Sequence, residues 1–471
     1  MKTGNLAFLT VLLLLGINVS ELNAEITLPS IFGDNMVLQQ NSEAPVWGKA
    51  KSGSTVKITT SWNNRTYTTR AGNDGGWRIK VSTPQAGGPY KIVISDGKPL
   101  TLSNVLIGEV WVCSGQSNMF MPLRGFKNQP VIGSVEYIVT SANPEIRLLT
   151  VPPKASLIQE NDFDGKWMEC NPESVSTFSA TAYFFGRMLN QVLKVPVGLI
   201  QTSWGGTRIE PWMSPDAASR FDWLTVPAES STKEEISKDL PIVIFNAMIN
   251  PLAGYGIRGV IWYQGEANRN EPERYKDLLA VLVHDWRQKW NIGDFPFYYA
   301  QIAPFNYGSK ANSAYLREAQ LQASEVIANS GMASLIDAGE ENCIHPSNKK
   351  VAGDRLAFLA LSKTYGTGGF PCEGPVLEEM TVKENTVTLA FRNAPNGLTS
   401  YGKELSCFEV AGENRRFYPA IAYITGKGVS LFSPSVNKPV AVRYAFKDYV
   451  KGDLYNTEGI PASSFRTDDW D

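Results

Sequence analysis

The middle of the chain alternates between short apolar runs and longer segments whose apolar residues recur at helical spacing. Unbroken apolar runs are typical of strands buried on both faces of a parallel sheet, and amphipathic helices are typical of the crossovers between such strands. We predict strands at 105–113, 197–201, 259–266, 297–302 and 333–337, and helices at 178–193, 275–290, 314–328 and 348–365. This alternation over residues 105–366 predicts an α/β domain built on a parallel sheet.

Both flanks of that region have a different pattern. Residues 25–104 and 371–471 contain short strand-like segments separated by glycine- and proline-rich turns. Such spacing is typical of antiparallel β-structure, so we predict a small sandwich-like β-domain before the α/β domain and a β-rich region after it. The polar segment 228–239 is predicted to be a solvent-exposed excursion.

The first 24 residues read as a secretory signal peptide. Lys2 precedes an apolar run over residues 6–16, and a polar stretch ends at the small residue Ala24. The run is short for a membrane span, which disfavours the alternative of a retained anchor. We therefore expect export to the periplasm or the extracellular space, with no membrane attachment after cleavage.

Composition narrows the function further. The 471-residue chain has a net charge of −2, which gives no electrostatic reason to expect a nucleic acid partner. Its five cysteines show neither metal-binding nor redox spacing, and no disulfide pairing can be assigned from them. We expect neither a metal nor a cofactor.

A candidate nucleophile follows the first predicted strand of the α/β domain. The strand ends in Ser-Gly-Gln-Ser-Asn at 114–118, and the ends of parallel strands are where open α/β sheets bind ligands. Ser117 is the predicted nucleophile. The same residues also form ordinary turns and helix caps, so this segment alone does not decide between the two interpretations.

The chain offers two candidate bases because it contains two histidines. His284 lies inside a predicted helix, so we interpret it as structural. His345 lies in a loop after a predicted strand, which is where catalytic groups are more often found. We predict His345 as the base, with a capping or core histidine as the alternative.

Polar residues at the ends of the other strands provide candidate donors for an oxyanion. We predict the backbone N–H of Ser117, a backbone N–H of Gly205 or Gly206, and the side-chain amide of Gln264. Asn118 and Asn268 are second choices. A plain turn is the alternative explanation of the two glycines.

Four further side chains are candidates for substrate binding, namely Gln116, Asn118, Arg208 and Glu266. Glu266 could bind substrate hydroxyls, orient Gln264 or pair with Arg208, and we do not predict a catalytic role for it. Arg208 and the neighbouring Trp204 could equally be packing residues.

Taken together, the motifs resemble the sialate O-acetylesterase family within the SGNH hydrolase superfamily. The resemblance rests on Gly-Gln-Ser-Asn-Met at 115–119, Ser-Trp-Gly-Gly-Thr-Arg-Ile-Glu-Pro-Trp at 203–212, Trp-Tyr-Gln-Gly-Glu-Ala-Asn at 262–268, and Ile-His-Pro at 344–346 with Lys349. It implies a flavodoxin-like α/β/α fold and a serine esterase that removes acetyl groups from sugar hydroxyls. It also implies Ser117 as nucleophile, His345 as base, and Gly206 and Gln264 as oxyanion donors.

One position departs from the superfamily pattern. An aspartate usually stands three residues before the histidine, but this chain has Asn342 there. Asp337, Glu340 and Glu341 are nearby candidates for a third catalytic member. Alternatively, a backbone carbonyl in the loop orients the imidazole and leaves a Ser-His dyad, because orientation is the chemical requirement.

The expected function is that of an exported carbohydrate O-acetylesterase, with O-acetylated sialic acid as the expected substrate. Acetylated xylan or pectin would use the same machinery and remains an alternative. A non-catalytic carbohydrate-binding protein is a further alternative, which intact Ser117, His345 and Gln264 argue against. A nucleotide-binding protein is disfavoured because no glycine-rich phosphate loop follows a strand.

Overall fold

A computed structural model describes residues 25–228, 236–308, 312–426 and 428–470. The predicted signal peptide and most of the predicted polar excursion lie outside the described residues. Within them, no helix is long and apolar enough to cross a membrane.

The N-terminal region is made of short strands and turns. Its strands are β1 (Val37–Gln39), β2 (Glu43–Lys49), β3 (Thr55–Thr60), β4 (Thr66–Arg70), β5 (Gly76–Ser82) and β6 (Gly87–Ser95). β2 pairs with β5, and β3 pairs with β4 and β6, all antiparallel. The β-rich character expected from the turn-rich sequence is therefore present.

The middle of the chain forms a mixed sheet covered by helices. Its strands are β7 (Pro99–Gly115), β8 (Asn143–Val151), β9 (Met168–Cys170), β10 (Val197–Ser203), β11 (Gly259–Tyr263), β12 (Phe297–Ala300) and β13 (Ser330–Ala333). The α-helices are α1 (Ser117–Phe120), α2 (Ser134–Val139), α3 (Pro172–Ser176), α4 (Ala180–Leu193), α5 (Pro215–Ala218), α6 (Pro272–Trp290), α7 (Ala314–Val326) and α8 (Lys349–Leu359). Short 3₁₀ turns cover Glu210–Trp212, Asn250–Leu252 and Glu266–Asn268, and π turns cover Phe245–Ile249 and Ala360–Thr364.

The strand order β13-β12-β11-β7-β10-β8-β9 places β7 in the centre. β7 pairs in parallel with β10 on one side and with β11 on the other. The chain therefore forms β8, β9 and β10 on one side of β7 and then crosses over to form β11, β12 and β13 on the other side. The carboxyl end of β7 lies at this switch point, where sheets of this kind bind their ligands.

β7 is buried on both faces, as the unbroken apolar run predicts. Val110 and Val112 belong to the hydrophobic core that contains the apolar residues of α6, whereas Trp111 and Cys113 belong to the core that contains those of α4 and α8. All four side chains are fully buried. The predicted α/β class, with β-rich flanks, is confirmed.

β7 also continues far to the N-terminal side of the predicted strand. Its first half pairs antiparallel with β6, and residues 106–108 pair in parallel with β1. The predicted border between residues 104 and 105 therefore falls inside a single 17-residue strand. This strand joins the N-terminal region to the central sheet without a linker.

Two features of the central sheet differ from the sequence-based expectation. The last strand is Ser330–Ala333 rather than 333–337, so Asp337 lies in the loop beyond it. β8 was not predicted, because Arg147 interrupts its apolar run. Arg147 is only 1% exposed and contacts the backbone carbonyls of Asn35, Asn104 and Pro144, so a charged residue occupies a buried strand.

The C-terminal region contains two four-stranded sheets that share one hydrophobic core. Its strands are β14 (Val376–Lys383), β15 (Thr386–Arg392), β16 (Leu398–Thr399), β17 (Phe408–Ala411), β18 (Phe417–Pro419), β19 (Ile421–Thr425), β20 (Gly428–Phe432), β21 (Ala441–Tyr444), β22 (Tyr455–Asn456) and β23 (Phe465–Arg466). Arg317 of α7 is fully buried against this region and donates to Ser464 Oγ and to the Lys447 carbonyl. A buried cation thus fixes the C-terminal region to the central domain.

Gly115, the last residue of β7, provides a test of the backbone geometry at the switch point. Its φ is +135°, and a Cβ atom there would lie 2.2 Å from the Tyr263 carbonyl oxygen. We expect Gly115→Ala to lower the free energy of unfolding more than Gly97→Ala, measured by urea denaturation. Gly97 has a φ of +133° but no atom within 4 Å of its Cβ position. The difference between the variants should be about 1–3 kcal/mol, the usual cost of overpacking. Equal losses would show that the contact with Tyr263 relaxes freely.

Candidate active site

The candidate nucleophile begins a short helix at the end of the central strand. β7 ends at Gly115, Gln116 makes the turn, and Ser117 is the first residue of α1. Gln116 and Asn118 are buried, whereas Ser117 is partly exposed. The fold therefore presents the hydroxyl of Ser117 at the switch point of the sheet.

His345 lies beside Ser117 although 228 positions separate the two residues. The distance between His345 Nε2 and Ser117 Oγ is 2.8 Å, within the hydrogen-bond range required of a nucleophile and its base. The structure thus brings the two predicted catalytic residues together. The other histidine, His284, lies on the exposed face of α6.

The orientation of His345 is set by a residue that the sequence did not indicate. Gln129, in the segment between α1 and α2, places its side-chain Oε1 2.6 Å from His345 Nδ1. An amide oxygen only accepts, so Nδ1 carries the proton and Nε2 keeps a lone pair for the Ser117 hydroxyl. The ring of Phe126 packs edge-on against the imidazole with centroids 5.2 Å apart.

The three predicted acids are engaged elsewhere. Asp337 forms a two-point ion pair with Arg355, at 2.6 and 2.8 Å. Glu340 accepts from the backbone N–H and the hydroxyl of Ser347, and Glu341 is exposed. None of the three forms a hydrogen bond with His345, and the accepting carbonyl is that of a side chain rather than the predicted backbone carbonyl.

Backbone N–H groups are available for an oxyanion beside Ser117. A Cβ atom at Gly205 would lie 3.4 Å from Ser117 Cβ, so this glycine allows the turn to approach the nucleophile closely. Among the described residues, none accepts a hydrogen bond from the backbone N–H of Ser117, Gly205 or Gly206. Lys238 Nζ donates to the Gly205 carbonyl at 2.6 Å, which polarises the Gly205–Gly206 peptide and strengthens its N–H as a donor.

The side-chain amide of Gln264, a predicted oxyanion donor, forms hydrogen bonds within the protein. Its side chain is fully buried, and its Nε2 donates to the Thr207 carbonyl at 3.1 Å and to Asn268 Oδ1 at 2.8 Å. Asn268 in turn donates to Glu210. Both amide groups thus use their hydrogens inside the protein, where they brace the segment that carries Gly205 and Gly206.

A buried polar cluster lies behind the nucleophile and connects it to the base. Asn118 Nδ2 donates to Glu266 Oε1 at 2.6 Å and to the Ile344 carbonyl at 3.1 Å, and Lys349 Nζ donates to Asn118 Oδ1. Asn118, Glu266 and Lys349 are at most 3% exposed. Burial raises the pKa of Glu266 and lowers the pKa of Lys349 to about 7.

Most of the predicted substrate-binding side chains are buried and form hydrogen bonds within the protein. Gln116 is 3% exposed, and its Oε1 accepts from the backbone N–H groups of Gly265 and Ala267. Glu266 forms no hydrogen bond with Gln264 and no ion pair with Arg208, the interactions expected for two of its predicted roles. Arg208 instead pairs with Glu210 at 2.7 Å and Glu271 at 2.9 Å. Gln116, Asn118 and Glu266 are thus buried, whereas Arg208 is partly exposed and held by two carboxylates.

The electrostatic surroundings keep His345 neutral. Burial, followed by the positive charge of Lys349, lowers the pKa of His345 to about 4. In the described part of the chain, no cluster of three or more histidine, cysteine, aspartate or glutamate side chains could hold a metal ion. The arrangement of nucleophile, neutral base and backbone donors suits acyl transfer through an oxyanion intermediate.

Comparison with known proteins points to the same chemistry. The family model for carbohydrate esterase, sialic acid-specific acetylesterase, matches residues 107–357, a range that includes Ser117, Gln129 and His345. The sialate O-acetylesterase of Homo sapiens is 28% identical over 499 residues, with coverage of 93% of this chain and 91% of that protein. That of Pongo abelii is 27% identical over 494 residues, with the same coverage.

A solved structure extends the similarity to the whole fold. The crystal structure of a novel carbohydrate acetylesterase from Xanthomonas citri superposes with a TM-score of 0.87 at 31% sequence identity. The superposition covers 95% of this chain and 100% of that chain. The β-rich flanks are therefore part of the shared architecture along with the central sheet.

Gln129 should control the orientation of the base. We expect Gln129→Ala to lower kcat for p-nitrophenyl acetate by about 100-fold, because a misplaced catalytic group costs about that much. KM should change little, since Gln129 touches the base rather than the ester. Gln129→Glu should retain activity and shift the acid limb of the pH profile upward, because a carboxylate stabilises the imidazolium. A neutral effect of Gln129→Ala on kcat would contradict the role.

The pH profile should report the lowered pKa of His345. The neutral imidazole is the expected base, so kcat/KM should fall as the pH is lowered. The midpoint should lie near pH 4 rather than near 6.5, the pKa of an ordinary histidine. Lys349→Gln keeps a donor for Asn118 but removes the charge, and should move the midpoint upward. Lys350→Gln, which removes a charge paired with Asp354, is the control and should leave it in place. A wild-type midpoint near 6.5 would refute this account.

Proposed function

Because the chain belongs to the sialic acid-specific acetylesterase family of carbohydrate esterases, and is therefore an ester hydrolase of carbohydrate acetyl groups, we propose that it deacetylates O-acetylated sialic acids through a Ser117–His345 dyad. The observation that carries the assignment of residues is the 2.8 Å contact between Ser117 Oγ and His345 Nε2. The proposed third participant is Gln129, which orients the base without taking up a proton.

In the first half-reaction, Ser117 Oγ attacks the acetyl carbonyl carbon while His345 Nε2 takes the hydroxyl proton. The carbonyl oxygen becomes an oxyanion, which the backbone N–H groups of Ser117 and of the Gly205–Gly206 turn are proposed to stabilise. The tetrahedral intermediate then collapses. The sugar oxygen leaves with the proton from His345, and the acetyl group remains on Ser117.

In the second half-reaction, His345 removes a proton from a water molecule that attacks the acetyl-enzyme. A second oxyanion forms at the same donors and collapses to release acetate, and the proton returns to Ser117 Oγ. Each half-reaction begins with neutral His345 that carries its proton on Nδ1, which is the form that the Gln129 contact selects, and passes through the imidazolium that returns the proton.

The choice of sialic acid rests on the relatives rather than on a contact with substrate. The similar human and orangutan proteins are sialate O-acetylesterases, and the matching family model carries that specificity in its description. The similar Xanthomonas citri structure is described only as a carbohydrate acetylesterase. Acetylated xylan or pectin therefore remains the second candidate, with the same chemistry.

We further propose that the protein is exported. Residues 1–24 have the charged start, apolar run and small-residue end of a signal peptide. All five cysteines lie among the described residues, and none of them is paired in a disulfide there.

The proposed function is tested by acetate release from O-acetylated N-acetylneuraminic acid and from acetylated xylan. We expect release from the sialic acid, and a loss on the order of a thousandfold or more in Ser117→Ala and His345→Ala, because residues that act as a unit fail together. His284→Ala is the matched control and should retain activity. Release from xylan alone would reject the sialic acid assignment. Full activity in Ser117→Ala would reject the nucleophile.

A further inference from the structure

A cavity near the proposed active site has no role in the ester hydrolysis described above. Beside the Ser117–His345 pair lies a cavity of about 390 Å³. Its lining includes two aromatic rings, Phe120 and Phe126, and two cationic side chains, Arg124 and Lys127. The volume lies in the range of small-molecule sites.

This cavity adjoins the catalytic pair through its aromatic residues. Phe120 is the last residue of α1, the helix that begins at Ser117. Phe126 packs against the imidazole of His345, and the two phenylalanine rings stack with centroids 6.3 Å apart. Neither Ser117 nor His345 lines the cavity, so these two rings connect it to the catalytic pair.

The two cations of the cavity have no acidic partner among the residues that the structure describes. Arg124 and Lys127 are exposed, and their side chains form no ion pair or hydrogen bond with any residue that the structure describes. By contrast, Arg208 on the neighbouring segment is neutralised by Glu210 and Glu271. No acidic residue lines the cavity. It therefore offers a positively charged wall whose charge is available to a ligand.

We propose that this cavity is a subsite for the carboxylate of an acidic sugar, with Arg124 and Lys127 as the residues that bind it. The proposal rests on the proposed function and deepens it, because it assigns the recognition of the acid group to particular residues. A guanidinium matches a carboxylate in two-point geometry, and an ammonium adds a second charge. The rings of Phe120 and Phe126 offer apolar surface to the carbon skeleton of the same sugar.

The proposed subsite also predicts a preference among substrates. An acetylated sugar with a carboxylate, such as a sialic or uronic acid, would gain charge-assisted hydrogen bonds that a neutral acetylated sugar lacks. Hydrogen bonds to charged groups contribute more than neutral ones, so the gain corresponds to about a tenfold to hundredfold difference in affinity. The acetyl group of the same molecule would extend toward Ser117.

The test measures inhibition of p-nitrophenyl acetate hydrolysis by N-acetylneuraminic acid and by its carboxamide, which differ in the charged group. We expect the acid to inhibit wild type about tenfold to hundredfold more strongly than the amide. Arg124→Gln/Lys127→Gln should remove that difference, and a circular-dichroism spectrum and thermal unfolding midpoint equal to those of wild type would show that the variant is folded. Lys57→Gln/Lys80→Gln removes two exposed charges from the N-terminal strands and should preserve the difference.

The outcomes separate this proposal from the proposed function. Equal inhibition by acid and amide in wild type, no inhibition by either, or an unchanged preference in Arg124→Gln/Lys127→Gln would overturn the carboxylate subsite. A preference for the acid that the double variant removes would support it even if O-acetylated sialic acid released no acetate. In that case the sialic acid assignment would fail while a different acidic sugar remained the ligand of the subsite.

Discussion

The proposed mechanism depends on the hydrogen bond between His345 Nδ1 and the side-chain carbonyl of Gln129. It fixes the tautomer in which Nε2 faces Ser117, so it supplies the orientation that a carboxylate supplies in a triad. A neutral amide, however, does not offset the charge that His345 acquires when it takes the serine proton. Burial, followed by the positive charge of Lys349, lowers the pKa of His345 and disfavours the imidazolium still further. His345 is thus a weak base, but it stays unprotonated at Nε2 in mildly acidic solution.

The positive charges around the site disfavour the imidazolium, but they also favour a negatively charged oxyanion. Lys238 polarises the peptide of Gly205, and Lys349 lies in the buried cluster behind Ser117. Positive charge favours the oxyanion that forms in each half-reaction while it disfavours the imidazolium that forms at the same time. In the proposed mechanism, stabilisation of the oxyanion therefore contributes more than the strength of the base. A weak base fits the observation that the partner of His345 Nδ1 is the neutral Gln129 and not Asp337, Glu340 or Glu341.

The sequence was sufficient to predict the α/β class and the meeting of Ser117 with His345, because strand ends of a parallel sheet converge. It was not sufficient to predict which residue orients His345, or which polar side chains at the strand ends point into the protein. Gln129 is a neutral residue in an irregular segment, and the missing acid at Asn342 was the one indirect sign that another group orients the base. The polar tips of the strands were also ambiguous. Gln264 and Asn118 stand at the expected places, but whether such side chains point outward or inward depends on turn geometry, which apolar patterning does not encode. Burial of Arg147 concealed β8 for a similar reason, since its partners come from distant parts of the chain.

The continuity of β7 has a consequence for how this architecture can be taken apart. Its first half completes the N-terminal β-region, and its second half forms the centre of the sheet that ends at Ser117. A gene cut between residues 104 and 105 would divide a strand and leave both fragments with unpaired backbone groups at a former interior position. The N-terminal β-region and the central sheet therefore share the strand β7. Exchange of the N-terminal module between related proteins would have to cross over before Pro99, in the turn that follows β6.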